Sequence, residues 1–195
     1  MSGQDNQPKV LIILYGINND EEAIKSIEKQ TYKNVSIELD WSSEGRNAPK
    51  FFNDIIMDKT KEADIYGFID GHCILNPKCI ETIVDKYLWS QDQLVGACYS
   101  DYSLIQDNIE SNQYYTSYNL KTLKTNIINP YIFINGKIVS RIFNEQLEVL
   151  YYYDALVKIG MNAMIYHIPK NLMKVYNTPK DIQNDIKRLS SNVRS

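Results

Sequence analysis

The patterned part of the chain opens with an unbroken apolar run, Val10-Leu-Ile-Ile-Leu-Tyr15, closed by Gly16 and the polar pair Asn18-Asn19. Six such residues without alternation read as a strand buried on both faces. Asn19-Asp20-Glu21-Glu22 then opens a helix. The polar residues can cap it, the acids suit its positive end, and Ala23, Ile24 and Ile27 supply its inward face. Val35 to Asp40 predicts a second strand with an acid at its end. Pro49 to Lys61 predicts a second helix, apolar at Phe51, Phe52, Ile55 and Ile56, with lysines at its C-terminal end. Ile65 to Asp70 predicts a third strand. Pro77 suits a first helical turn, and Ile80, Ile83, Val84 and Tyr87 make the inward side of the third helix.

The second half is patterned differently. Leu94 to Tyr102 reads as a strand, and Asp101 to Asn126 is polar and tyrosine-rich with no clear period. Ile127 to Ile134 and the segment on to Ile142 read as strand around a turn at Asn135-Gly136. Asp154 to Ile159 predicts a short helix stopped by Gly160. Ala163 to Ile168 and Leu172 to Tyr176 read as two short strands, and Asp181 to Leu189 as a polar helical tail.

Strand–helix alternation over the first ninety or so residues predicts an α/β domain with a mostly parallel central sheet and helices on both faces. Ligands in such sheets bind beyond the carboxyl ends of the strands. Those ends carry Tyr15-Gly16-Ile17-Asn18, Asp40-Trp41-Ser42-Ser43 and Asp70-Gly71-His72. Three polar clusters converging on one edge say more than any one of them alone. The expected organisation is a flexible N-terminus over 1–8, one domain over 9–177 and a polar tail over 178–195.

Composition narrows the function classes. A chain of 195 residues has room for one full core. Its 24 acids against 21 bases give a net charge of −3, which does not favour nucleic-acid binding. Cys73, Cys79 and Cys98 form no close pair and no Cys-x-x-Cys, which argues against a disulfide framework and a structural zinc, and fits a reducing, cytoplasmic compartment. The polar start MSGQDNQPK has no apolar signal core, and no apolar run is long enough to span a bilayer. Work at a membrane would therefore be peripheral. The 15 tyrosines cluster at Tyr114-Tyr115, Tyr118 and Tyr151-Tyr152-Tyr153, either as half-buried surface or as an aromatic platform for a sugar.

The loop after the first strand has one glycine and an acidic helix start, which would repel a phosphate. A dinucleotide fingerprint and a phosphate-cradling lysine loop are both absent. Asp40 is placed either to accept hydrogen bonds from a ribose or base, or simply to turn the chain at the strand end.

The run Ser26-Ile27-Glu28-Lys29-Gln30-Thr31-Tyr32-Lys33-Asn34-Val35, coming after a strand, a polar loop and a helix, resembles the opening signature of the family-2 glycosyltransferases. Arg46-Asn47-Ala48 followed by Asn53 resembles the family's next pattern, near its donor. Ala63 to Asp70 resembles the segment leading to its Asp-x-Asp motif. The resemblance runs from Val10 to Asn177. It implies a Rossmann-like GT-A fold of the nucleotide-diphospho-sugar transferase type, and inverting transfer of a sugar from a nucleotide-diphospho-sugar, most readily a UDP-sugar. The acceptor would be a hydroxyl on a glycan, a lipid-linked molecule or a protein.

By that resemblance Tyr15, Gly16, Asn18, Asp40 and Arg46 lie around the donor nucleotide, Asp70 and His72 hold a divalent metal on its diphosphate, and Asp154 is the general base. Asp101 falls near the acceptor, and His167 is read as structural, with a metal-ligand role as the lesser reading. The chain departs from the family in two places. His72 stands for the second acid of Asp-x-Asp, which suits manganese better than magnesium. It is a substitute metal ligand, a direct phosphate contact, or the mark of a decayed site. Tyr153 stands where the family often has Glu before its base. The competing reading is a catalytically inactive, glycosyltransferase-like binding or assembly module. A nucleotidyltransferase would want a glycine-rich, basic first loop, which is missing.

Overall fold

The structure is a computed structural model, and it describes residues 7–16, 21–40, 47–89, 94–115, 131–146 and 151–176. These residues include eight strands: β1 (Val10–Tyr15), β2 (Val35–Leu39), β3 (Ile65–Asp70), β4 (Cys73–Leu75), β5 (Val95–Gln106), β6 (Ile109–Gln113), β7 (Tyr131–Asn135) and β8 (Met164–Tyr176). Among the described residues four α-helices accompany them: α1 (Glu21–Glu28), α2 (Ala48–Met57), α3 (Cys79–Trp89) and α4 (Tyr151–Gly160). The strands form one sheet in the order β2-β1-β3-β7-β5-β8-β4, with β6 added beside β5.

The apolar run at β1, next to the edge strand β2, has both its faces covered. Val10, Ile12 and Leu14 face α1 and α3, where they meet Ala23, Ile27, Ile80, Ile83 and Val84. Leu11 and Ile13 face α2 and α4, where they join Phe52, Tyr152, Ala155, Leu156 and Ile159. An aqueous face would have forced alternation with polar residues, and there is none.

The sheet is mixed rather than mostly parallel. β2, β1 and β3 pair in parallel, as the alternation predicts. β7 then enters antiparallel to both β3 and β5. β5 and β8 are parallel to each other, while β4 and β6 run antiparallel to β8 and β5. Part of the reason is the connection: β5 and β6 are joined by a two-residue turn, which only antiparallel neighbours can use.

Other expectations shift as well. The Asn135-Gly136 turn leads into no second strand within 136–146; Gly136 N–H instead donates to the Asp64 carbonyl at 2.7 Å. A Cβ on Gly136 would lie 2.1 Å from the Ala63 carbonyl oxygen, so only glycine fits that approach. The two short strands predicted at the C-terminal side are one strand, β8, irregular against β5 around Ser100–Asp101. The patternless segment after Asp101 begins with a hairpin whose two-residue turn, Asp107-Asn108, has φ of 52° and 61°. Helix α2 ends at Met57, where Asp58 turns the chain into a 3-10 turn over Lys59–Lys61. Of the segments expected as N-terminus (1–8) and tail (178–195), only residues 7 and 8 are among the described residues.

Candidate active site

The carboxyl ends of β2, β1 and β3 come together as the strand order requires. Tyr15 lies opposite Asp70 across the β1–β3 pair. Asp40 N–H donates to the Leu14 carbonyl at 3.0 Å, and Gly71 N–H to the Tyr15 carbonyl at 2.7 Å. Gly16 has φ +79°, and a Cβ on Gly71 would stand only 3.1–3.2 Å from the backbone of Tyr15 and Gly16. Tyr15, Gly16, Asp40, Asp70 and His72 therefore share one corner. Asn18 and Arg46 lie outside the described residues.

Asp70 shapes this corner. Its Oδ1 accepts the His72 N–H at 3.0 Å, an Asx turn that swings the chain out of β3 and into β4. The His72 carbonyl accepts the Tyr176 N–H at 3.0 Å, which ties the turn to the far end of β8. Burial raises the Asp70 carboxyl above its ordinary pKa, and His72 opposes the rise. Tyr15 is also raised, by burial first and then by the charges of Asp40 and Asp70. The corner is acidic, and a cation would offset the cost of ionising Asp70 there. Among the described residues no group of three or more His, Cys, Asp and Glu side chains could hold a metal. Asp70 and His72 offer at most two donors. A cation held by them would have to take its remaining ligands from a bound molecule rather than from a protein cage.

The first turn of α4 packs against the same corner. Burial and then the charges of Asp70 and Tyr15 push Tyr151 well up; burial, Tyr151 and Asp70 do the same to Tyr152. Tyr151 lies against Phe52 with ring centroids 5.8 Å apart, and Phe52 against Tyr15 at 5.7 Å. Asp154, one turn beyond Tyr151 and on its side of the helix, is ion-paired to Lys158 at 2.5 Å.

Asp101 and His167 sit farther along the same edge. Tyr131, opposite Ile69 in β7, binds the Ser100 N–H with its hydroxyl at 3.2 Å, so Asp101 lies just beyond. Asp101 Oδ1 meets His167 Nε2 at 2.8 Å and accepts the Tyr115 N–H at 2.9 Å. Both side chains are under 8% exposed, at 7% and 6%. The His167 ring stacks on Tyr99 at 5.0 Å. Asp101 therefore works inward, fixing Tyr115 and His167. Neither of these partners was legible locally, because 66 residues separate Asp101 from His167.

The signature residues turn out to be braces. Ser26 Oγ accepts the Leu75 N–H at 3.0 Å. Gln30, 1% exposed, donates to the Ser26 and Asn76 carbonyls and accepts the Ile80 N–H at 3.0 Å. Thr31 binds the Pro77 carbonyl through its N–H at 2.9 Å. Together they fasten α1 to the chain leaving Asp70-Gly71-His72. Asn47 and Asn53 likewise bind residues 143 and 145 rather than open space.

No family model matches the sequence, and no curated protein matches it. Solved structures do. The crystal structure of S. aureus TarS matches with TM-score 0.59 and 12% identity, over 95% of this chain and 39% of that one. The crystal structure of S. aureus TarS 1-349 matches with TM-score 0.57 and 14% identity, over 94% of this chain and 64% of that one. The chain thus spans less than two thirds of either. At such identity the likeness speaks for the fold alone, a mixed α/β domain with a curled sheet.

Proposed function

We propose that this chain transfers a sugar from a nucleotide-diphospho-sugar, a UDP-sugar first, to an acceptor hydroxyl with inversion. One observation carries the reading. In a glycosyltransferase-like fold, Asp40, Tyr15-Gly16 and Asp70-His72 meet at the carboxyl edge of three parallel strands, with the first turn of α4 beside them. Asp40 holds the nucleoside. Asp70 and His72 hold a divalent cation, manganese before magnesium, which when bound neutralises the charge of the leaving diphosphate. The acceptor oxygen forms its bond to the anomeric carbon as the bond to the diphosphate breaks, and the acceptor's proton passes to Asp154. The acceptor class is a glycan, a lipid-linked molecule or a protein. Among the described residues no helix is long and apolar enough to cross a membrane.

The test is calorimetric titration with UDP and manganese, followed by manganese-dependent hydrolysis of a panel of UDP-sugars. Saturable heat is expected, and none at millimolar ligand would remove the donor site. Asp154→Asn should keep UDP binding and lose about 10²–10⁴-fold in hydrolysis rate; full activity would remove Asp154 as base. A second reading, a non-catalytic sugar-nucleotide-binding module, is favoured by His72 in place of an acid. It predicts binding without hydrolysis.

A further inference from the structure

Asp154 Oδ2 is sealed from solvent and has no hydrogen bond to any described residue. Its ion-pair partner is Lys158 Nζ at 2.5 Å, with the Asp154 side chain 28% exposed through its other atoms. An Asp four residues before a Lys is a common helix-surface pair that ordinarily contributes little. Two features set this one apart: the buried oxygen, and what holds the lysine.

The Lys158 ammonium also donates to the Ile142 carbonyl at 3.0 Å, and the neighbouring backbone is firmly fixed. The side-chain amide of Asn53, 2% exposed, grips both backbone groups of Phe143. Its Oδ1 accepts the Phe143 N–H at 3.2 Å, and its Nδ2 donates to the Phe143 carbonyl at 2.8 Å and to Glu145 Oε1 at 3.0 Å. Asn47 Nδ2 donates to the Glu145 carbonyl at 2.5 Å. The Phe143 ring packs on Phe68 at 4.7 Å and on Phe52 at 5.1 Å. Residues 142–145 are thus splinted to α2 and the core. Lys158 bridges that splint and Asp154.

We infer that Lys158 is a positioning residue for the proton-accepting carboxylate: tied to residues 142–145, it draws Asp154 Oδ2 inward and turns Oδ1 toward the acceptor hydroxyl. The inference rests on the reading of Asp154 as general base. A carboxylate free to rotate would offer either oxygen at varying angles, and proton transfer needs one oxygen at hydrogen-bond distance. The splint removes that freedom without using a residue that touches substrate.

Lys158→Met keeps the stem and removes the ammonium; Lys158→Arg keeps a cation. With a UDP-sugar that the wild type hydrolyses, kcat of Lys158→Met should fall roughly ten- to a hundredfold, as for a misplaced catalytic group. Donor KM and UDP affinity should stay within about twofold, the signature of a lost transition-state interaction. Lys158→Arg should recover part of kcat. Amide hydrogen exchange on the unliganded chain needs no activity, and it should speed up over 142–145 in Lys158→Met while β1 and β3 keep their protection. A raised donor KM with intact kcat overturns the inference, and so does unchanged exchange over 142–145. If the wild type neither binds UDP nor hydrolyses any donor, the proposed function and the carboxylate's role fall together, and exchange alone then decides whether Lys158 ties the splint.

Discussion

At Gly71 the third strand's exit presses on the first strand's last peptide. Its N–H donates to the Tyr15 carbonyl, and the space beside its Cα is filled by Gly16 and Tyr15 backbone. Backbone cannot yield as a side-chain tip can. Gly71→Ala should therefore push β1 and β3 apart just where Tyr15 faces Asp70, at a cost of about 1–3 kcal/mol, the range for overpacking. A urea titration reads the stability, and UDP calorimetry reads the corner. Wild-type values in both would show that the two strand ends are not held as described. The glycine was visible in the sequence, but the reason for it was not, because the crowding atoms lie more than fifty residues upstream.

The β5–β6 hairpin shows what one element can hide. Within the patternless stretch, residues 109–113 lack a period because β6, Ile109–Gln113, is an exposed edge strand and carries no buried face to imprint one. Its signal was the turn: Asp107 and Asn108 both take positive φ, the conformation of a type I′ hairpin. Asn tolerates this region and β-branched residues do not. Asn108→Val should cost about 1–2 kcal/mol, with Asn108→Gly neutral or slightly stabilising, both by urea denaturation. Equal stability of the two variants would rule out the turn geometry. Helix α1 teaches the opposite lesson. Ser26, Gln30 and Thr31 resemble a family signature, and in the structure they brace the Leu75–Ile80 backbone.

Across the whole molecule, burial governs the three thiols. Cys73, Cys79 and Cys98 are all buried. Burial lifts Cys79 and Cys98 from 9.0 to about 12 and Cys73 well above its ordinary value. A folded-state pKa above the unfolded one means that the folded chain binds more protons in between. This contribution is therefore whole below pH 9 and is lost as pH climbs toward 12. The urea midpoint should fall across that window and less so in Cys79→Ala compared with its own value at pH 8. A thiol reagent at pH 8 should find almost none of the three until the chain is unfolded. Rapid labelling of the native protein would contradict the burial.

The local pattern was enough to establish β1, β2 and β3, their parallel pairing and the helices between them. Each apolar run or stripe records how many of its faces must leave water, and that is a property of neighbouring residues. It also placed Asp40, Asp70 and Tyr15 on one edge, since strand direction sends every carboxyl end the same way. What the pattern could not hold is the entry of β7 between β3 and β5, which makes the sheet mixed. Strand order is settled by competition among distant partners, and a residue's hydropathy is the same beside any of them. Nor could it hold the Asp101–His167 pair or the grip of Asn53 on Phe143, 90 positions away. A buried polar group must find a partner, but which partner it finds is decided only when the packed chain brings one within 3 Å.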